Sequence, residues 1–350
     1  MKIDISIEGR TIGQECPPFL VAELSANHNG SLERALATLE AAKRAGADAV
    51  KLQTYTADTM TIDSDQADFK IRGGPWDGYT LYRLYEEAHT PSEWHRALFD
   101  HARSLGITIF STPFDESAVE LLESLGAPAY KIASFELTDL PLLQAVAQTG
   151  KPIILSTGMA SCEEIGEALE TIRNHGGNEI VLLHCVSSYP APLEQANLRM
   201  IPRLAEEFRV PVGLSDHTLG TTAATIAVAL GACMIEKHFT LSRAEKGPDS
   251  AFSIEPQEFA HLAEQTRAAW HALGSGDFVR PEAESTSRVF RRSIYFVRDL
   301  PAGAIVGPED IRRIRPGYGL APKHFGALLG RRLKVAVTRG TATRWEHFDE

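Results

Sequence analysis

Cysteine is scarce in this 350-residue chain, and its four copies (Cys16, Cys162, Cys185 and Cys233) lie far apart with no CxxC pair. That excludes a disulfide framework and a cysteine-built zinc site, and it predicts a reducing, cytoplasmic setting. Basic charge is short as well. Its 35 Lys and Arg face 46 Asp and Glu, a formal net charge of −11, which argues against nucleic acid or an anionic membrane as the main partner. A small anionic substrate is not excluded, because a local cluster of cations can outweigh the global sign. Long apolar runs are missing too. The longest, residues 221–235, is broken by Gly231 and is too short to span a bilayer. The first fifteen residues, MKIDISIEGRTIGQE, alternate polar and apolar and contain no signal-peptide core. There is no GxGxxG after the first strand-like run and no Walker loop, which speaks against dinucleotide and P-loop nucleotide sites. These absences predict a soluble protein with small-molecule partners.

What is present points to a packed globular core, with 43% hydrophobic and 23% charged residues. Eight β-rich runs recur, each followed by a segment of helical period. They are FLVAEL (19–24), AVKLQT (49–54), TIFSTP (108–113), AYKIAS (129–134), PIILST (152–157), VLLHCV (181–186), VPVGLSDH (210–217) and MIEKHF (234–239). Strand alternating with helix predicts parallel pairing through right-handed crossovers. Eight units favour a (β/α)₈ barrel, with an open doubly wound sheet as the alternative.

The spacing between the second and third strands is anomalous. It holds an aromatic-rich insertion, RGGPWDGYTLYRLYEEAHTPSEW, which predicts either a binding lid or a structural cap over one barrel end. After the eighth unit a helix runs into a polar stretch, and residues 290–350 change character, with short β-like runs (SIYFVRDL, KVAVT), PAG and RG turns and an RPGYGLAP loop. The predicted organisation is a barrel over 1–275, a linker over 276–289 and a small β-rich domain over 290–350.

A barrel carries its reacting groups at the C-terminal ends of its strands. Here all eight ends are polar: Glu23 and Ser25 on the first, Lys51 and Gln53 on the second, Thr112 on the third, Lys131, Ser134 and Glu136 on or after the fourth. Ser156, then His184, Ser187 and Tyr189, then Ser215 and His217, and finally Glu236 and His238 complete the ring. Any one has a structural explanation, but polar groups converging on one face would otherwise be desolvated without partners. Ser215 and His217, like Glu236 and His238, are two apart on a strand and so share a face. His217 and His238 would stand on adjacent strands, close enough to share a cation such as Mn²⁺, Fe²⁺, Co²⁺ or Zn²⁺. Lys51 and Lys131, expected on opposite sides of the mouth, join hydroxyls of Ser134, Ser156, Ser187 and Ser215 in an anion cradle.

The blocks AELSANHNGSLERAL, KLQTYTADT, IFSTPFDE, YKIAS, STGMAS, LLHCVSSYPAP, GLSDHTLG, EKHFT and GPDSAFSIEP together resemble the sialic-acid synthase family, and RRSIYFVRDLPAGAIV with IRPGYGLAP resembles its antifreeze-like (SAF) domain. The resemblance runs from about residue 1 to the end. It implies condensation of phosphoenolpyruvate with an N-acylated amino-sugar aldehyde, with attack by the enol carbon, capture of C2 by water and loss of phosphate by C–O cleavage. It also implies a divalent metal at His217 and His238, Mn²⁺ first with Mg²⁺ or Co²⁺ as alternatives, acting as Lewis acid.

On the same grounds Lys51, Thr112, Lys131, Ser134, Ser156, Ser187 and Ser215 hold phosphoenolpyruvate, although position 187 is often Asn in the family. Glu136, Tyr189 and Asp249 lie near the sugar, and Glu23 positions the sugar or water. Arg315 reaches the sugar from the other subunit of a domain-swapped homodimer. The GPWDGYTLYRLYEEAHTP insertion, KLQTYTADT and GPDSAFS most resemble the branch that makes pseudaminic acid from 2,4-diacetamido-2,4,6-trideoxy-L-altrose. N-acetylneuraminate and legionaminic acid synthesis are the near alternatives. A Schiff-base aldolase using Lys131 is a remoter one, and a non-catalytic carbohydrate-binding protein another.

Overall fold

Short runs of Val, Ile, Leu and Phe become strands in the computed structural model, which describes residues 4–74, 76–279 and 281–349, so the outer limits of the two expected domains lie outside the described residues. The chain divides into two compact units, Met1–Gly274 and Ser275–Glu350. In the first, β1 (Ile5–Ile7) and β2 (Arg10–Ile12) form an antiparallel hairpin. Eight parallel strands then close a barrel: β3 (Phe19–Glu23), β4 (Ala49–Thr54), β5 (Thr108–Pro113), β6 (Tyr130–Ile132), β7 (Ile153–Ser156), β8 (Ile180–Cys185), β9 (Val212–Asp216) and β10 (Met234–His238). Sequence order is spatial order, and β10 pairs with β3 to shut the ring.

Helices cover the outside, α1 (Leu32–Arg44), α4 (Trp94–Leu105), α5 (Glu116–Leu125), α6 (Leu140–Gln148), α7 (Cys162–Asn174), α8 (Met200–Phe208), α9 (Thr222–Ala229) and α10 (Pro256–Leu273), while α2 (Ala57–Met60) and α3 (Leu81–Ala88) lie in the long β4–β5 connection. Several starts are written in the sequence. Ser31, Asp115 and Asp139 accept the backbone N–H three residues on, and Ser161 with Glu164 makes a capping box. Each such cap contributes about 1 kcal/mol.

Alternation along the strands separates two cores. Outward residues such as Leu20, Val50, Ile109 and Leu182 pack against the helices. Inward residues such as Phe19, Val21, Ala49, Phe110, Ile154 and Met234 fill the barrel, and Ile5, Ile7 and Ile12 of the hairpin join them as a plug at the N-terminal end. Gly213 is required here, because a Cβ would sit 2.4 Å from the Met234 carbonyl oxygen and 2.7 Å from Leu183.

The same inward rows turn polar at the C-terminal end. Phe19 and Val21 lead to Glu23, Ala49 to Lys51, and Met234 to Glu236 and His238. Register then places Glu23 beside both Lys51 and His238, Gln53 beside Thr112, and Ser215 beside Glu236.

The second unit pairs β11 (Ser293–Phe296) with β12 (Ile311–Ile314) in antiparallel fashion, and a one-turn helix, α11 (Phe325–Leu328), follows. Its core gathers Ile294, Phe296, Val306, Leu328, Leu333, Val337 and Phe348. The KVAVT run does not form a ladder. Leu333 and Val337 are the buried residues of that stretch, four apart rather than two, and they make only isolated bridges to Phe348 and Leu300. Between α10 and β11, residues Glu282–Glu284 and Thr286–Phe290 form short 3₁₀ turns.

Candidate active site

Four buried charges occupy the centre of the barrel mouth. Lys51 Nζ lies 2.7 Å from Glu23 Oε2 and 3.7 Å from Glu236 Oε1, and it donates to Thr112 Oγ1 at 3.2 Å. Lys131 Nζ lies 3.9 Å from that same Glu236 oxygen and donates to the Ile132 carbonyl at 3.1 Å. The two lysines therefore do not face each other across the mouth as expected. They stand two strands apart and converge on one carboxylate, because β4 and β6 flank β5 in the closed ring. Unpaired, each ion would cost on the order of several kcal/mol to bury.

Burial sets the proton affinities, and the neighbours modify it. Desolvation lifts Glu23 to about 7 despite the pull of Lys51. Burial depresses Lys131 although Glu236 opposes it. Lys51 resists burial and ends raised, held by Glu23 and Glu236. Glu236 also resists burial and ends lowered, between Lys131 and Lys51.

Of the serines assigned to the cradle, Ser215 touches these charges directly. Ser215 Oγ donates to Glu236 Oε1 at 3.2 Å. Ser156 Oγ is buried with no hydrogen-bond partner among the described residues. Ser134 and Ser187 flank Gly158, where a Cβ would sit 2.4 Å from Ser134 Cβ and 2.8 Å from Ser187 Oγ. Glycine thus keeps the space between them open.

His217 and His238 lie side by side with ring centroids 5.5 Å apart. His217 Nδ1 donates to the Val186 carbonyl at 2.9 Å; burial opposes protonation of the ring, but Cys185 beside it leaves its proton affinity raised. His238 Nδ1 is buried and unpartnered, and burial holds the ring well below the ordinary histidine range, hence neutral. In their neutral forms these two imidazoles, on adjacent strands, fit a divalent cation that takes its remaining ligands from substrate or water. Among the described residues no third His, Cys, Asp or Glu completes a protein-only metal cluster.

Above the charges opens a cavity of about 440 Å³. The β4–β5 connection walls it: Met60 and Ile71, then Trp76, Leu81, Leu84 and Tyr85 of the insertion, line it together with Phe252 and Tyr189. Trp76 Nε1 donates to the Pro248 carbonyl at 3.1 Å, and its ring packs 5.8 Å from Tyr189. The insertion therefore forms a wall of this cavity. Glu136, Tyr189 and Asp249 all line this space. Glu136 is lifted to about 7 by burial, against the pull of Lys131, and its Oε2 has no partner. Asp249 is also raised by burial, although Ser25 and the Ala26 N–H donate to it. Arg315 lies in the second unit, exposed, just after β12.

The sequence assigned no role to Glu236, Gln53, Trp76, Phe252 or Gly158. Glu236 was within reach as the i, i+2 partner of His238. Trp76 and Phe252 sit in loops whose approach to the mouth only the fold supplies.

Residues 38–278 match the NeuB family, and residues 291–349 match the SAF domain. A pseudaminic acid synthase of Campylobacter jejuni is 44% identical over 330 residues, 94% of this chain and 96% of that protein. A pseudaminic acid synthase of Helicobacter pylori is 46% identical over 93% of this chain and 96% of its own length. An N,N'-diacetyllegionaminic acid synthase of Legionella pneumophila is 41% identical over 96% of each chain. Among solved structures, the N-acetylneuraminic acid synthetase of Leptospira borgpetersenii, in complex with citrate, superposes with a TM-score of 0.74 at 33% identity, over 82% of this chain and 95% of that one.

Proposed function

The chain belongs to the NeuB family, and from that membership we infer its reaction: it is a phosphoenolpyruvate-dependent synthase that makes pseudaminic acid. The second substrate is 2,4-diacetamido-2,4,6-trideoxy-L-altrose, and water and phosphate complete the balance. The observation that carries the sugar assignment is the 44% and 46% identity to pseudaminic acid synthases across more than nine-tenths of the chain. The cavity suits that sugar, because two acetyl methyls and a C6 methyl are apolar groups that Trp76, Leu84, Tyr85 and Phe252 can cover.

Phosphoenolpyruvate sits in the Lys51–Lys131 cradle, its phosphate and carboxylate taking the ammonium charges and the Ser134, Ser156 and Ser187 hydroxyls. Its C3 attacks the open-chain aldehyde in the cavity above. Water captures the C2 cation, and the tetrahedral centre expels phosphate by C–O cleavage. Glu23, poised near neutrality, is the carboxyl placed to take the proton of that water, while Gln53 donates to its Oε1 at 2.8 Å and orients it. A divalent cation held by His217 and His238, Mn²⁺ before Mg²⁺ or Co²⁺, would polarise the aldehyde oxygen. We further place the enzyme in the cytoplasm as a domain-swapped homodimer in which Arg315 serves the partner's sugar.

The Schiff-base alternative has one observation in its favour, the burial-depressed Lys131. Borohydride with pyruvate should nevertheless leave this enzyme active and unlabelled, because in the reading proposed here Lys131 holds the anion and forms no covalent bond. The deciding measurement is phosphate release. The altrose-configured diacetamido sugar should support turnover far better than N-acetylmannosamine or the legionaminic precursor, and a preference for either of those would reassign the product. Exhaustive EDTA should abolish turnover and Mn²⁺ should restore it. Full activity after chelation would remove the metal from the mechanism.

A further inference from the structure

Ser25 lies two residues past Glu23, at the first turn beyond β3, with φ of 43°. Of the five non-glycine residues with positive φ among those described, only Ser25 is fully buried. Glycine would take this conformation at no steric cost, whereas a serine pays for its Cβ. Such strain persists where surrounding contacts fix it, and here two of those contacts pass through the hydroxyl. Ser25 Oγ donates to Asp249 Oδ2 and accepts from Gln53 Nε2 at 3.0 Å. The same Gln53 nitrogen donates to Glu23 Oε1 at 2.8 Å. The Ala26 N–H, at 3.2 Å, is a second donor to Asp249 Oδ2. With Oδ2 occupied twice, Oδ1 is the Asp249 oxygen left without a donor among the described residues. Ser25 and Asp249 both line the cavity.

We propose that Ser25 is a positioning residue for the sugar: its hydroxyl locks the Asp249 carboxylate so that Oδ1 meets a sugar hydroxyl or amide N–H, and ties that carboxylate through Gln53 to Glu23. The inference rests on reading the cavity as the sugar site. It links the group that holds the sugar to the group that handles the water, through one strained side chain.

Two substitutions separate the hydroxyl from the backbone. Ser25→Gly removes the hydroxyl and relieves the positive φ, whereas Ser25→Ala removes the hydroxyl and keeps the strain. Both should raise the sugar KM by about tenfold, the loss of one hydrogen bond to a charged group, and leave the phosphoenolpyruvate KM within about twofold. The melting temperature of Ser25→Gly should equal or exceed that of the wild type, and Ser25→Ala should melt lower. In an Asp249→Asn background, Ser25→Gly should add less than about twofold to the sugar KM, because the two act as a unit. A sugar KM that follows melting temperature instead, near wild type in the Gly variant and worse in the Ala variant, would overturn the proposal. If Asp249→Asn raises the sugar KM and Ser25→Gly does not, the positioning role alone fails. If Asp249→Asn leaves it unchanged, the sugar-site reading fails with it.

Discussion

Glu236 Oε1 is shared by both lysines of the cradle, at 3.7 and 3.9 Å, and Lys51 also pairs with Glu23 at 2.7 Å, so Lys131 has only a shared carboxylate to balance it before an anion arrives. Lys51→Ala and Lys131→Ala should each weaken phosphoenolpyruvate binding by about 1.5–3 kcal/mol, read as a higher KM with the sugar KM nearly unmoved. Wild-type KM in both variants would place the anion elsewhere. Glu136 gives a prediction in pH. Its carboxyl is raised from 4.5 to about 7, chiefly by burial, so the folded state prefers the protonated form. The cost of ionising it is absent below the unfolded pKa, grows as pH rises, and is complete above the folded one. Glu136→Gln should therefore stabilise the fold at pH 8 by on the order of 1–3 kcal/mol and by nothing near pH 4.5, measured by denaturant unfolding at both. If the ionised form accepts a sugar hydrogen bond, kcat/KM for the sugar should climb between pH 6 and 8 in the wild type and stay flat in the variant. Equal stabilisation at both pH values would show that Glu136 does not titrate in this range.

Strand placement was legible because alternation and strand-end chemistry are local. AVKLQT and TIFSTP became β4 and β5 residue for residue, while AYKIAS shrank to Tyr130–Ile132. The side chains that strands project inward, Glu23, Lys51, Lys131, Ser215 and Glu236, could thus be assigned to one face before any coordinates. Loops are another matter. Nothing local says that residues near 76 and 249 meet, and the bond from Trp76 to the Pro248 carbonyl spans more than 170 positions. KVAVT misled for the converse reason, since composition suggested a strand while Leu333 and Val337 are buried with a spacing of four. The insertion carries its own prediction. Trp76→Ala loses the hydrogen bond to Pro248 and the ring contacts with Tyr189 and Phe252, so the sugar KM should rise about 5–30-fold, with that for phosphoenolpyruvate within about twofold. The preference for a C6 methyl over a C6 hydroxymethyl should also narrow, because an apolar wall is gone. Unchanged sugar kinetics would make the insertion a cap only.

At the scale of the molecule the chain is two units, Met1–Gly274 and Ser275–Glu350, each with its own core. The proposed chemistry of phosphoenolpyruvate belongs to the first unit alone. Arg315 belongs to the second, exposed at the end of β12 in the RPGYGLAP loop. A guanidinium in water contributes little unless it meets a partner, and the proposed domain-swapped dimer supplies one, the sugar in the opposite subunit. Subunit mixing tests that arrangement with full-length chains. Arg315→Ala leaves the cradle whole, and Lys131→Ala leaves the loop whole, so with both substrates held well below the raised KM values each homodimer alone should be nearly inactive. In a mixed dimer under the swap, one site takes its cradle from the Arg315→Ala subunit and its arginine from the Lys131→Ala subunit. Both defects fall together in the other site. Random exchange makes half the dimers mixed, so about a quarter of wild-type sites should return, the arithmetic of a two-fold assembly. If each loop serves its own barrel, every site in the mixture keeps one defect and no activity appears. Exchange is verified with differently tagged subunits, and silence after verified exchange would return Arg315 to its own chain while leaving the barrel chemistry intact.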